Sequence, residues 1–358
     1  MNTNVSRERT RELLITHCQS FPGLQIQDLC KYLYQSAFGC EHMISSPEAV
    51  TEGIEKEFQN CVHTDNTEII KLDGPYSRIP LSCLGTGLSA ATFGKLFYYS
   101  AQKKPDGHWD LLSKIEIARE LLGEGLLPFS QNDFESEIAS WEAKGYPAVH
   151  HSAAFKELYH PSYRLMADEY VLLLPFLTEL DKRMKKQNTI VAIDGRSASG
   201  KTTLSRLLEK IYDCTVFHMD DFFLQPHQRT SQRLAEVGGN FDREHFLEEV
   251  LLPLTAGKTV RYKRFDCSTM SLEKEKLITP KPPVIIEGVY SMHPELSKYY
   301  DLSLFLDISP EVQRKRILRR NSPQMAERFF TTWIPMENRY FEETGVPKRC
   351  DMRLTVTE

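Results

Sequence analysis

TIVAIDGRSASGKTTL, residues 189–204, decides how the rest of the chain is read. Its first half is a short run of β-branched and apolar residues, suited to a parallel strand buried on both faces. Its second half, Gly195-Arg196-Ser197-Ala198-Ser199-Gly200-Lys201-Thr202, matches the spacing G-x-x-x-x-G-K-[ST] without a deviation. Glycines let such a segment curl so that successive N–H groups point inward, and a following helix adds the positive end of its dipole. That helix is expected at once, because Leu204, Leu207, Leu208 and Ile211 recur at i, i+3, i+4, i+7. We read Gly195, Ser197, Ala198, Ser199, Gly200, Lys201, Thr202 and Thr203 as a loop that grips a polyphosphate, ATP by default. Lys201 is expected to reach the β and γ phosphates and the Thr202 hydroxyl to ligate Mg²⁺.

Downstream of this loop, strand patterns alternate with helical ones. TVFHM is followed by a helix around EHFLEEVLLPL, then VRYKRF, VIIEG, LSLFLDI and a helix from Pro310 onward. Strands separated by helices imply right-handed crossovers and a parallel sheet covered on both faces, with ligands bound beyond the carboxyl ends of the strands. The fold class expected is therefore α/β, a phosphate-loop parallel sheet. Carboxylates appear where such a sheet needs them. Asp220 comes first after TVFHM, placed to accept a proton from an attacking hydroxyl. Glu287 ends VIIE, placed to serve a metal. Asn240-Phe241-Asp242 and Phe265-Asp266 put polar groups beside aromatics in connections. On the last helix Arg316, Arg319 and Arg320 share a face that could clamp transferring phosphate charge.

AIDGRSASGKTTL, HMDDFF, NFDREHF, RFDC, VIIEGVY and RKRILRRN follow one another in an order that resembles the uridine kinase and phosphoribulokinase family, over about residues 188 to 358. The resemblance implies a small-molecule kinase that transfers the γ-phosphoryl group of ATP to a hydroxyl of a nucleoside or similar metabolite. It implies Lys201 and Thr202 on ATP and Mg²⁺, Asp220 as the base facing the acceptor, and Asp242, Phe265 and Asp266 at the substrate. Glu287 would sit near the metal, and Arg316 and Arg319 would belong to the lid. Where uridine kinases carry a histidine after the aromatic-Asp pair, this chain has Cys267, Ser268 and Thr269, so the acceptor stays open. A reading of another class, a nucleotide-dependent switch acting on a partner, lacks the guanine-specific NKxD signature.

Upstream, the polar run LDKRMKKQN marks a boundary, giving residues 1–187 and 188–358 as two domains, in keeping with a length of 358. The first is expected to be mainly helical, with helices in the stretch around Val50, Ile54 and Phe58, in SAATFGKLFYYSA, LLSKIEIARELL and DFESEIASWEAK, and from about Tyr163 to Lys186. LDGPYSRIPL reads as a turn and a short extended piece. Its family is not recognisable, and its role stays open between regulation and a separate reaction. Its polar features are Gly39-Cys40-Glu41-His42 and a group comprising His150, His151, Tyr159, His160 and Arg164, which without the i, i+4 spacing of a zinc site reads as packing or else as a basic pocket for an anionic ligand. A net charge of -5 argues against general nucleic-acid binding. The eight scattered cysteines read as reduced thiols, mostly buried. With neither a secretory signal nor a membrane span in view, a cytoplasmic protein with a small-molecule substrate is expected, and a homo-oligomer is left open.

Overall fold

The computed structural model describes residues 3–40, 46–60, 67–103, 105–185 and 188–357. The chain divides into two compact units, Met1–Thr178 and Glu179–Glu358. The division falls inside the helix Leu174–Met184, nine residues before the boundary that the charge run suggests.

The amino-terminal unit is built on helices, among them Ile26–Phe38, Pro47–Asn60, Ala90–Ala101, His108–Gly123, Gln131–Glu142 and Ala153–Tyr159. Serine caps recur: Ser89, Ser130 and Ser152 each accept from the backbone N–H three residues on. A small antiparallel sheet joins β1 (Ile70–Lys71), β2 (Tyr76–Pro80) and β3 (Tyr163–Ala167) in that order. Here the helix expected from Tyr163 is corrected: residues 163–167 pair with β2, Tyr76 opposite Ala167 and Pro80 opposite Tyr163. Helix resumes only at Asp168–Val171 and Leu174–Met184. The pairing buries Leu165, Met166 and Ala167 in succession, a tertiary gain that outweighs their helix propensity.

In the carboxyl-terminal unit, five strands form one parallel sheet. In chain order these are β4 (Ile190–Gly195), β5 (Thr215–His218), β8 (Val284–Glu287), β9 (Leu302–Ile308) and β10 (Met352–Val356), and across the sheet they run β10-β9-β4-β8-β5. Every residue of β4 and of β8 is buried, the signature of strands covered on both faces. The stretch VRYKRF does not join this sheet. It forms β6 (Val260–Asp266), which pairs antiparallel with β7 (Ser271–Ile278) as a separate hairpin. The inner side of the hairpin packs on the core through Val260, Tyr262 and Phe265, with Tyr262 stacked on Phe222 at 5.3 Å. The helix read around EHFLEEVLLPL is present as Arg243–Phe246 and Leu252–Thr255 joined through a wider π turn at Leu247–Leu251.

Candidate active site

β4 delivers the chain into the phosphate loop. Gly195 has φ +149, and a Cβ there would stand 2.3 Å from the Leu306 carbonyl oxygen of β9, so only glycine lets the two strands approach. Ala198 and Gly200 also take positive φ, +63 and +102, curling residues 195–202 ahead of the helix Lys201–Tyr212. The loop is braced from outside. Glu337, 5% exposed, accepts from the Ser197 N–H at 3.0 Å and from the Ser197 hydroxyl. Gln313 donates to the Ser197 carbonyl at 2.9 Å, and Arg196 donates to Asp307 at 3.0 Å and to Asn338 at 2.5 Å. Lys201 folds over the loop and donates to the Gly195 and Arg196 carbonyls at 2.8 and 3.0 Å.

β8 and β5 bring acidic groups to the same edge. Glu287, 5% exposed, accepts from the Thr202 hydroxyl at 3.1 Å, and its Oε1 stands 2.6 Å from His218 Nδ1. That hydrogen bond raises the His218 pKa, with burial opposing it. Asp220 lies in the short turn Met219–Phe222 that follows β5, exposed by its residue surface and without a hydrogen bond among the described residues. Crowding by protein atoms desolvates its carboxyl and raises its pKa; Lys201 opposes the shift, and Glu287 adds to it. Asp221 turns away to Arg264 Nε, 3.1 Å distant, on the hairpin. Behind the loop lies Asp194, fully buried, which accepts from the N–H of Gly195 (2.7 Å), the N–H of Met292 (3.0 Å) and the Tyr340 hydroxyl (2.9 Å). Burial pushes it up to about 6 against those hydrogen bonds.

The remaining sequence candidates disperse. Asp242 caps the helix Arg243–Phe246 by accepting from the His245 N–H at 3.2 Å, and it takes Gln228 Nε2 at 2.7 Å. Phe265 is a core residue at 2% exposure. Asp266 accepts from the N–H and hydroxyl of Ser268, both at 2.7 Å, which lowers its pKa and closes the hairpin turn. Arg316 donates to the Ala198 carbonyl at 3.2 Å and the Thr357 carbonyl at 3.0 Å, so it buttresses the loop rather than standing open as a clamp. Arg319 is exposed and unpaired among the described residues. Glu337, His218 and Asp194 escape sequence reasoning. His218 and Asp194 adjoin recognised motifs, the one signal available, while Glu337 is 140 residues from Ser197 with nothing local to mark it.

In the amino-terminal unit, the histidines do not converge. His160 takes a left-handed conformation at the end of Ala153–Tyr159, the His150 carbonyl accepts from Gln27, and His151 alone is buried among polar groups. Arg164 pairs with Glu57 at 2.6 Å. Glu41 and His42 lie outside the described residues, as does Cys61; the described cysteines are free thiols. Among the described residues no helix is long and apolar enough to cross a membrane.

A parallel sheet with a glycine loop leading into a helix, and a carboxylate on the neighbouring strand end, defines a P-loop kinase class of fold. Residues 190–331 match the model of the Phosphoribulokinase / Uridine kinase family. The chain is similar to a uridine kinase of Mycoplasma pneumoniae, 32% identical over 146 residues, covering 38% of this chain and 66% of that one. To a uridine kinase of Staphylococcus epidermidis it is 26% identical, covering 44% and 84%. To uridine kinase-like protein 4 of Arabidopsis thaliana it is 25% identical, covering 40% of this chain and 32% of the relative, so the chain spans about a third of that protein. A solved structure of a possible uridine kinase from Bacillus stearothermophilus is 22% identical, covers 47% of this chain and 88% of its own, and superposes with a TM-score of 0.37.

Proposed function

We propose that the carboxyl-terminal unit is an ATP-dependent kinase of a small metabolite bearing a hydroxyl, uridine-like or related. The observation that carries this reading is the meeting of three groups at one sheet edge: the loop with Lys201, the pair Thr202–Glu287 at 3.1 Å, and the unengaged carboxylate of Asp220. A triphosphate fits the loop: besides its inward curl, it holds the Ser199 hydroxyl buried without a hydrogen-bond partner among the described residues. Thr202 and Glu287 are hard oxygen donors of the kind Mg²⁺ takes, one or two per site with phosphates supplying the rest. When bound, Mg²⁺ neutralises charge on the phosphates.

This chain's own residues then have separable tasks. Lys201 exchanges the loop carbonyls for phosphate oxygens, and the N–H groups of the loop fix the polyphosphate. Asp220 accepts the proton of the acceptor hydroxyl, a task favoured by its raised pKa, since a stronger base takes a hydroxyl proton more readily. Arg319 is free to meet phosphate charge, while Arg316 keeps the loop in shape. Asp242, Phe265 and Asp266 shape the acceptor side through the Gln228 contact and the hairpin turn. The test is ATP consumption by the purified chain with nucleosides, sugars and vitamin alcohols offered one at a time. Consumption that depends on one of them supports the kinase. Hydrolysis indifferent to every acceptor sinks the kinase reading and favours the nucleotide-dependent switch.

A further inference from the structure

The amino-terminal unit buries a chain of polar side chains that has no part in the reaction above. Asp28, fully buried, accepts from the N–H groups of Gln25 and Ser152, both at 3.0 Å, and from the Ser152 hydroxyl at 2.7 Å. His151 Nδ1 stands 2.9 Å from the same carboxylate. Burial alone would raise the Asp28 pKa, and these donors outweigh it and hold it at about 2, so the carboxylate is ionised with four donors already upon it. With Nδ1–H turned to Asp28, His151 Nε2 accepts from the Tyr163 hydroxyl at 2.8 Å; the same hydroxyl oxygen stands 3.3 Å from Gln35 Oε1, which accepts from Arg78 Nε at 2.9 Å.

The chain ends on an unmet charge. Arg78 is 2% exposed and forms no ion pair among the described residues, and its Nη2 is buried with no hydrogen-bond partner there. Its guanidinium lies 4.9 Å from the Tyr163 ring centre and 5.6 Å from that of Tyr32. His17, 4% exposed, stacks on the same Tyr32 ring at 4.3 Å, and both its nitrogens lack partners among the described residues. Burial first, then the charge of Arg78, lowers the His17 pKa well below its ordinary value, leaving a neutral ring with one donor and one acceptor. A buried guanidinium is stable when its donors are met by an anion, and a buried polar atom left unmet is costly.

We propose that Arg78 and His17 form a second ligand site in this protein, one that anchors the oxyanion of a small metabolite, a carboxylate or a phosphate. The planar guanidinium offers the Nη edge left free by Gln35, matching the two oxygens of such a group. The rings of Tyr32 and Tyr163 flank it, and His17 supplies a donor and an acceptor for a neighbouring polar atom. The Asp28–His151–Tyr163–Gln35 chain fixes the position of Arg78 from behind.

The test uses the full chain carrying Lys201→Ala, which removes phosphate binding at the loop of the other unit. Thermal unfolding is followed by calorimetry with sodium phosphate, sodium acetate or sodium chloride at equal ionic strength. Phosphate or acetate is expected to raise the unfolding midpoint by several degrees once its concentration is about a hundred times the Kd, and which of the two acts tells the phosphate from the carboxylate source. Adding Arg78→Met is expected to abolish the response while leaving the ligand-free midpoint equal or higher, because a buried charge is replaced by an apolar chain of similar reach. His17→Phe keeps the stack on Tyr32 and is expected to weaken the response about tenfold, which provides a folded variant should Arg78→Met not fold. A midpoint no different from that in chloride overturns the proposal and leaves water as the partner of these donors. So does a response that survives Arg78→Met, or one that His17→Phe leaves at full strength.

Discussion

Lys201 and Asp220 separate binding from chemistry within the proposed reaction, and single substitutions tell them apart. Lys201→Ala is expected to lower kcat/KM by at least about 10²-fold, the scale of removing one charge-stabilising donor, with the unfolding midpoint little changed. Asp220→Asn keeps the shape and the exposure but cannot take a proton. Steady-state kinetics should find kcat down by about 10² to 10⁴ with the KM for ATP nearly unaltered, and equal losses in both would count against the base role. Asp194 makes a different kind of prediction. Its folded pKa of about 6 lies above its ordinary value, so it favours folding fully below about pH 4, and that contribution is lost as the pH rises through 6. Asp194→Asn should flatten the stability profile between those limits by on the order of 3 kcal/mol, read from urea midpoints across the range; an unchanged slope would show that the buried carboxyl titrates normally.

At the scale of the element, the loop and its strand are legible in the sequence because their information is local. Six buried residues, three glycine-like turns of the backbone and an amphipathic helix all lie within residues 190–212. β7 is hidden for the opposite reason. None of its eight side chains is buried: four are charged and one is serine, and of the three apolar ones Leu272 and Ile278 are half-buried and Leu277 is exposed, so no apolar alternation betrays a strand that exists only by pairing with β6. β3 is hidden because Tyr163–Ala167 reads equally as the start of a helix until β2 lies beside it. His218 and Glu287 are each visible as strand ends, but their 2.6 Å approach depends on β5 and β8 being neighbours, which spacing along the chain does not state. The strand-to-loop junction itself can be probed. Gly195→Ala would place a methyl 2.3 Å from the Leu306 carbonyl oxygen at a backbone angle that side chains rarely adopt. The expected loss is at least about 2 kcal/mol in the carboxyl-terminal unit, and an unaltered urea midpoint would mean that β4 and β9 separate without penalty.

Over the whole molecule, the division of the chain matters because one helix supplies both units. The basic run that suggests a boundary at 187 begins within Leu174–Met184, whose early residues Phe176 and Leu177 are fully buried while the later Asp181 and Arg183 serve the carboxyl-terminal unit. Asp181 accepts from the Tyr212 hydroxyl at 2.8 Å, and Arg183 donates to the Asp301 carbonyl. Asp301 in turn accepts from the Ile190 N–H at 2.8 Å, so the bond from Arg183 reaches the first residue of β4. A fragment beginning at residue 188 keeps every strand of the sheet and the entire phosphate loop but loses both of these bonds. One beginning at 179 keeps them. The longer fragment should therefore be more stable by about 1–3 kcal/mol, two hydrogen bonds of which one involves a charged donor, with equal ATP affinity in the two. Urea unfolding of both fragments measures the difference. Equal midpoints would mean that the second half of the helix contributes nothing to the carboxyl-terminal unit, and would return the boundary to the position that composition alone suggests.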